Sequence, residues 1–129
     1  MKTIFSIEDE ESLVSLLEYN ITSAGYKFEH SMNGYEGMMN IQKVKPDLIL
    51  LDLMMPVMNG FEFLKSIRET DLNSIPILVL TGADLSEDEK SFLSGEVQRI
   101  LEKSEDTLSS IVSEVGNVIK ASSKEGGKK

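Results

Sequence analysis

The segment Leu48-Ile49-Leu50-Leu51 constrains the fold more than any other part of the sequence. Four consecutive aliphatic residues, preceded by the turn pair Pro46-Asp47, predict a strand buried on both faces, as in the middle of a parallel sheet. Asp52 follows this strand directly. Open α/β sheets bind ligands at the carboxyl ends of their strands, which makes Asp52 a candidate site residue. An aspartate that merely caps a loop is the alternative.

Similar apolar runs predict four more strands, each followed by a segment with helical periodicity. The runs Thr3–Ile7 and 75–80 are largely apolar, whereas 26–31 and 97–101 mix apolar and polar residues. Strands that alternate with helices indicate an α/β domain with a parallel sheet. We therefore expect a single-domain, doubly wound, flavodoxin-like fold in which five helices cover both faces of a five-stranded parallel sheet.

The polarity of the strands predicts their order in the sheet. Strands that are apolar on both faces belong in the middle, and strands with polar residues belong at the edges. The first, third and fourth strands are then central, and the order 2-1-3-4-5 satisfies this condition with right-handed crossovers. In that order the first and third strands are neighbours, so Glu8 and Asp9, which follow the first strand, face Asp52.

Helical spacing predicts which helix residues enter the core. We expect Leu16 of the first helix and Met39 of the second to face the core with the other apolar residues of these helices. The third helix is expected to cover about residues 61–69. The fourth helix offers only Phe92 and Leu93 as apolar core residues. We expect it to be the least stable helix.

Composition narrows the classes of function. The net charge of −9 at pH 7 argues against direct binding to nucleic acid or to anionic membranes, because their phosphates would be repelled. The chain has no cysteine for disulfides or thiolate sites, and its single histidine, His30, is expected to be a surface or interface residue rather than a ligand. The sequence contains no apolar run long enough to predict a membrane span, and we expect a cytoplasmic protein. The small and charged segment 121–129 is expected to be a disordered tail.

Four strand ends carry polar groups that suit one kind of chemistry. Glu8, Asp9 and Asp52 would repel one another unless a cation lay between them, and an all-oxygen site suits Mg²⁺. Thr81 ends the fourth strand with a hydroxyl, and Lys103 follows the fifth with an ammonium, both of which suit phosphate oxygens. Together these groups describe a carboxylate nucleophile that becomes an aspartyl phosphate.

At this point the sequence resembles a known family, the receiver domain of two-component response regulators. The resemblance runs from residue 3 to about residue 120, and we expect the domain to cover residues 1–120. It is carried by the motifs Ile7-Glu8-Asp9-Glu10, Leu51-Asp52-Leu53-Met54-Met55-Pro56 with Asn59-Gly60, Leu80-Thr81-Gly82, and Lys103.

The resemblance implies a role for each site residue. Asp52 is then the phosphoacceptor, and Thr81 and Lys103 hold the phosphoryl group. Mg²⁺ is bound by Glu8, Asp9, Asp52 and the backbone carbonyl of Met54. The phosphoryl group comes from a phosphohistidine on a sensor histidine kinase or a histidine phosphotransfer domain, and its arrival switches the binding of an output partner. The domain is in this view not an enzyme but a signalling phosphoacceptor that assists its own phosphorylation and dephosphorylation.

The sequence departs from the family pattern at four positions. Ile100 stands where the family usually has an aromatic switch residue, and Ser104 stands where it usually has proline. We expect phosphorylation to survive these changes and the output face near the fourth helix and fifth strand to work differently. Met54 and Ala83 stand where polar side chains commonly orient the hydrolytic water, so we expect a long-lived aspartyl phosphate.

Three other functions compete with this interpretation. A flavin or nucleotide binder would need a small-residue phosphate loop after the first strand, where this chain has four acids. A magnesium phosphatase with an aspartyl nucleophile would need, by family resemblance, a second aspartate two residues after the first. This chain has Met54 at that position. A degenerate receiver would serve only as a protein-interaction module. The cognate kinase, the output partner and a phosphorylation-dependent dimer stay open.

Overall fold

The computed structural model describes residues 1–55, 57–72, 74–82 and 84–127, of which residues 105 and 123–127 are described by their backbone alone. Within these residues the chain forms one sheet and six helices. In chain order the elements are β1 (Thr3–Ile7), α1 (Glu11–Ser23), β2 (Lys27–Ser31), α2 (Gly34–Val44), β3 (Leu48–Leu51), α3 (Gly60–Arg68), β4 (Ile77–Thr81), α4 (Glu87–Ser94), β5 (Arg99–Glu102), α5 (Glu105–Ser109) and α6 (Ile111–Gly127).

The sheet has the predicted order, β2-β1-β3-β4-β5, and every pairing is parallel. Strands β3 and β4 are buried along their whole length and lie in the interior of the sheet, while β2 and β5 lie at its edges. Helices α2, α3 and α4 pack on one face, and α1 and α6 pack on the other. The predicted doubly wound fold class is confirmed. Its consequence for function is that the carboxyl ends of β1, β3 and β4 meet at one edge.

Two residues that helical spacing placed in the core are exposed. Leu16 of α1 has 43% of its surface exposed and Met39 of α2 has 60%. Helix α1 turns Leu13, Val14, Leu17 and Ile21 inward, and Leu16 lies beside this stripe rather than within it. Helix α2 approaches the sheet through Gly34, Gly37 and Ile41, so Met39 falls on the opposite side. Both helices therefore contain more apolar residues than their narrow buried stripes can hold.

The carboxyl-terminal region differs from the sequence prediction. The single last helix is divided at Ser110, which caps α5 with a φ of −108° before α6 begins at Ile111. Helix α6 continues to Gly127, whereas we expected a disordered tail over 121–129; Lys128 and Lys129 lie outside the described residues. Alanine, lysine and glutamate within this segment favour helix and allow α6 to continue. Among the described residues, no helix is long and apolar enough to cross a membrane.

Candidate functional site

The parallel ladder continues past the end of β1 and positions the acidic loop that follows it. The N–H of Asp52 donates to the carbonyl of Ile7 at 3.0 Å, and the N–H of Glu8 donates to the carbonyl of Ser31 at 3.1 Å. These bonds hold the loop after β1 against its neighbours on both sides. Glu8 and Asp52 are almost completely buried, with 2% and 3% of their surfaces exposed. A carboxylate buried to this extent must be paired with a cation or hold a proton.

Three carboxylates converge at this edge of the sheet. One oxygen each of Glu8, Asp9 and Asp52 can be chosen so that all three lie within 4.8 Å of one another. Hard divalent cations bind through such oxygen atoms, and Mg²⁺ commonly pairs one or two carboxylates with water and a phosphate. The structure therefore brings together the three acidic side chains that the sequence predicted as metal ligands.

Lys103 reaches into the same cluster from the end of β5. Its Nζ lies 3.1 Å from Glu8 Oε2 and 3.3 Å from Asp52 Oδ2. Burial lowers the pKa of Lys103, but its hydrogen bond to Glu8 and the two carboxylate charges outweigh burial, so the pKa is raised overall. The ammonium thus stays charged and supplies part of the positive charge that the buried carboxylates need.

Burial dominates the proton affinity of the two buried acids. It raises the pKa of Glu8 to about 7, assisted by the charge of Asp52 and opposed by Lys103. Burial also raises the pKa of Asp52, against the opposing effects of Lys103 and of a hydrogen bond from Met54. The ammonium of Lys103 therefore compensates the cluster only in part. A divalent cation would add the missing positive charge, so these residues fit a metal ion.

Thr81 ends β4 next to the lysine. It is buried, it pairs with Glu102 in the ladder, and its carbonyl accepts the N–H of Lys103 at 3.0 Å. The predicted neighbourhood of Thr81 and Lys103 is therefore present. A cavity of about 440 Å³ opens beside Thr81. Its lining includes Gly82, Leu85, Lys90, Ile100 and Leu101.

The loop after β3 has a rigid base and an exposed tip. The N–H of Met54 donates to Asp52 Oδ1 at 3.2 Å, and Met55 is buried, but the Met54 side chain is 62% exposed. Met55 therefore fills space beneath the loop, whereas Met54 does not. Val57 adopts a φ of 71°, an unusual conformation for a β-branched residue. Ala83, the other predicted influence on hydrolysis, lies outside the described residues.

Gly60 connects this loop to α3 at very short range. Its N–H donates to the Leu53 carbonyl at 3.0 Å, and Asn59 and Glu62 form a capping box around it. A Cβ at Gly60 would lie 2.6 Å from the Asp52 carbonyl oxygen, a distance that real Cβ atoms do not adopt. The absence of a side chain at this position therefore allows α3 to begin directly behind the phosphoacceptor candidate.

His30 is the residue whose place in the site the sequence did not indicate. We expected a surface or interface residue, and the structure adds that the half-buried ring brings Nε2 to 2.9 Å from the backbone carbonyl of Glu8. The register of β1 on β2 places His30 opposite Ser6 and Ser31 opposite Ile7. That register could have been predicted, but the direction of the imidazole depends on side-chain geometry that no sequence pattern encodes.

A doubly wound sheet with convergent carboxylates and a lysine at its carboxyl edge defines a class of phosphate-handling α/β domains. The family model of the response regulator receiver domain matches residues 4–114 of the 129. The chain belongs to this family of two-component receiver domains.

Known regulatory and chemotaxis proteins are similar to the chain in sequence or in structure. The alkaline phosphatase synthesis transcriptional regulatory protein PhoP of Bacillus subtilis is 42% identical over 83 residues, which are 64% of this chain and 34% of that protein. The polar-differentiation response regulator DivK of Brucella anthropi is 29% identical over 103 residues, covering 79% of this chain and 84% of that protein. The structure of chemotaxis protein CheY4 of Vibrio cholerae aligns with a TM-score of 0.81 at 28% identity, covering 92% and 98% of the two chains. The match to PhoP spans about a third of that relative's length.

Proposed function

We propose that this receiver domain takes a phosphoryl group onto Asp52 from a phosphohistidine, with Mg²⁺ bound, and thereby changes its binding of an output partner. The observation that carries this proposal is the position of Lys103, whose ammonium lies 3.1 Å from Glu8 and 3.3 Å from Asp52 at the edge where three carboxylates meet. The family membership supports a histidine kinase or a histidine phosphotransfer domain as the donor.

The site residues divide the tasks of this proposal, and Asp52 has two of them. A carboxylate oxygen of Asp52 attacks phosphorus, the phosphorus–nitrogen bond of the donor breaks, and the bonding electrons stay with the imidazole, which takes up a proton. Thr81 Oγ and Lys103 Nζ bind oxygens of the transferred group. Glu8, Asp9, Asp52 and the backbone carbonyl of Met54 would hold Mg²⁺, which when bound offsets the negative charge of the carboxylates and the phosphoryl group.

Lys103 changes its contacts when Asp52 is phosphorylated. In the unphosphorylated protein its Nζ bridges Glu8 and Asp52. A phosphoryl group on Asp52 adds negative charge on the Asp52 side, and a metal ion takes over the compensation of Glu8. Lys103 is then drawn toward the phosphoryl oxygens, and the backbone bond from its N–H to the Thr81 carbonyl couples the ends of β4 and β5. The contacts that differ between the two states therefore lie at these strand ends.

The remaining expectations about the whole protein belong to the same proposal. The domain acts as a signalling phosphoacceptor rather than an enzyme, it works in the cytoplasm, and its acidic charge disfavours direct contact with nucleic acid. A degenerate receiver that acts only by protein interaction is the second candidate, because Ile100 and Ser104 depart from the family pattern. The phosphorylation test separates the two.

The test is an intact-mass measurement after incubation with acetyl phosphate and Mg²⁺. We expect one phosphate adduct on the wild type, none on Asp52→Asn, and none in excess EDTA. Asp71→Asn, which changes an exposed aspartate outside the site, is the matched control and should keep the adduct. An adduct of equal yield on Asp52→Asn would disprove the assignment, and no adduct on the wild type would favour the degenerate receiver.

A further inference from the structure

Both backbone polar groups of Glu8 are bound by strand β2. The Glu8 N–H donates to the Ser31 carbonyl at 3.1 Å, and the Glu8 carbonyl lies 2.9 Å from His30 Nε2. The first bond continues the ladder between β1 and β2, whereas the second comes from a side chain. Asn40 of α2 supports this region by donating to Ser31 Oγ at 3.1 Å. The acidic loop is thus attached to the edge strand at two consecutive points.

The partner of His30 determines the chemistry of its ring. A backbone carbonyl can only accept a hydrogen bond, so Nε2 of His30 carries the proton and donates it. The ring also lines a cavity of about 330 Å³ between β2 and α2, whose other walls include Lys27, Asn40, Lys43 and Val44. His30 therefore stands between a solvent-accessible cavity and the backbone of the acidic loop.

We propose that His30 is a positioning residue for the two acids that bind the metal, an inference that rests on the proposed function of the site. The Glu8 carbonyl belongs to the planar peptide group that joins Glu8 to Asp9. Holding this carbonyl fixes the orientation of the peptide plane. The directions in which the side chains of Glu8 and Asp9 leave the backbone on either side of it are fixed as a result.

The bond opposes the repulsion between the acids. Glu8 and Asp9 are adjacent in sequence and converge with Asp52, and Lys103 compensates their charges only in part, so without a metal ion the remaining repulsion pushes the loop apart. A loop that has been released must be ordered again whenever a metal ion binds, and ordering backbone costs free energy. Removal of the donor from His30 should therefore weaken Mg²⁺ binding about threefold to tenfold, the range expected for loss of one neutral hydrogen bond.

The experiment measures Mg²⁺ affinity directly, by isothermal titration calorimetry on unphosphorylated protein. His30→Ala removes the donor and should bind Mg²⁺ about threefold to tenfold more weakly. His30→Gln offers an amide N–H near the position of Nε2 and should restore most of the affinity. Lys27→Gln changes a residue that lines the same cavity without touching the loop, and should bind like the wild type. Should His30→Ala fail to fold, His30→Phe keeps a ring without a donor and carries the same expectation.

Three results would overturn the proposal. Wild-type affinity in His30→Ala or His30→Phe would show that the donor does nothing, and equal weakening in His30→Gln would show that ring packing matters instead. A loss in Lys27→Gln as large as that in His30→Ala would assign the effect to the cavity. Because these titrations use no phosphoryl donor, a failure of the proposed function appears separately, as a missing adduct on wild-type protein that still binds Mg²⁺.

Discussion

The two flanks of the site differ in how firmly the chain holds them. On the side of β1 and β3, Glu8 and Asp52 are buried, and their backbones are fixed by ladder bonds to Ser31 and Ile7. On the side of α4 and β5, Ile100 is exposed, a cavity opens beside Thr81, and α4 buries only Leu93 among its described residues. The transfer of a phosphoryl group requires fixed acids, whereas switching requires an element of low local stability. The fold assigns these two requirements to opposite flanks.

The largest expected effect concerns the residue that links the two flanks. Lys103→Met leaves Glu8 and Asp52 buried beside each other without the ammonium, and removing one partner of a buried ion pair is costly. We expect the free energy of unfolding in excess EDTA to fall by about 4 kcal/mol. Urea denaturation measures this loss, with the exposed Lys120→Met as the control. A loss no greater than that of the control would mean that Lys103 stabilises neither flank.

The pH dependence of stability tests the firm flank. The pKa of Glu8 is raised by burial to about 7, so between pH 4.5 and 7 the folded state binds a proton that the unfolded state has released. The stability from this group is present below pH 4.5 and is lost as the pH rises through about 7. In excess EDTA the loss should amount to about 3 kcal/mol. Denaturation midpoints across this range should fall steeply in the wild type and less in Glu8→Gln. Equal slopes would contradict the assignment to Glu8.

The lifetime of the aspartyl phosphate tests the loop at the border between the two flanks. Met54 is exposed two residues after Asp52, and its side chain has no group that orients a water molecule. Met54→Asn should speed hydrolysis about tenfold, the value of one well-placed hydrogen bond, and adding Ala83→Glu should speed it further. Val57→Asn is the control, because asparagine tolerates the positive φ of Val57 in the same loop. Mass measurement follows the decay of the phosphate adduct. Loss of the phosphate from the wild type within seconds would contradict this prediction.

The smallest expected effect is a change of protection on the weak flank. Beryllofluoride, a phosphoryl mimic, should alter hydrogen exchange at amides of residues 84–104, because Thr81 and Lys103 pull on this segment from both ends. Helix α2 is the internal reference and should exchange equally with and without the mimic. If α2 changed and residues 84–104 did not, the roles of the flanks would be reversed.

The strand order and the convergence of the acids could be predicted because they follow from long patterns. Four buried aliphatic residues before Asp52 fix a central strand, and the polarity of β2 and β5 fixes the edges. The neighbourhood of Glu8 and Asp52 then follows from topology alone. Physical reasoning about buried strands was sufficient for this part.

Other features depend on local geometry that leaves no periodic signal. The bond from His30 to the Glu8 carbonyl depends on one side-chain rotamer, and the exposure of Leu16 depends on a rotation of α1 by less than one residue. The division of the last helix at Ser110 depends on the backbone angles of one residue, and serine occurs both inside helices and at their ends. None of these outcomes could be decided by composition or spacing.

Gly60 has a consequence for how the sequence can vary. Any side chain there would push against the backbone of Asp52 and Leu53, although glycine itself contributes no group to the chemistry. Three residues earlier, Val57 is 77% exposed, and its positive φ of 71° favours glycine and asparagine there. A library that randomises this loop and is selected for phosphorylation should therefore return only glycine at position 60, and several residues with glycine and asparagine enriched at position 57. The site thus depends as much on the absence of a side chain behind the aspartate as on the charged groups in front of it.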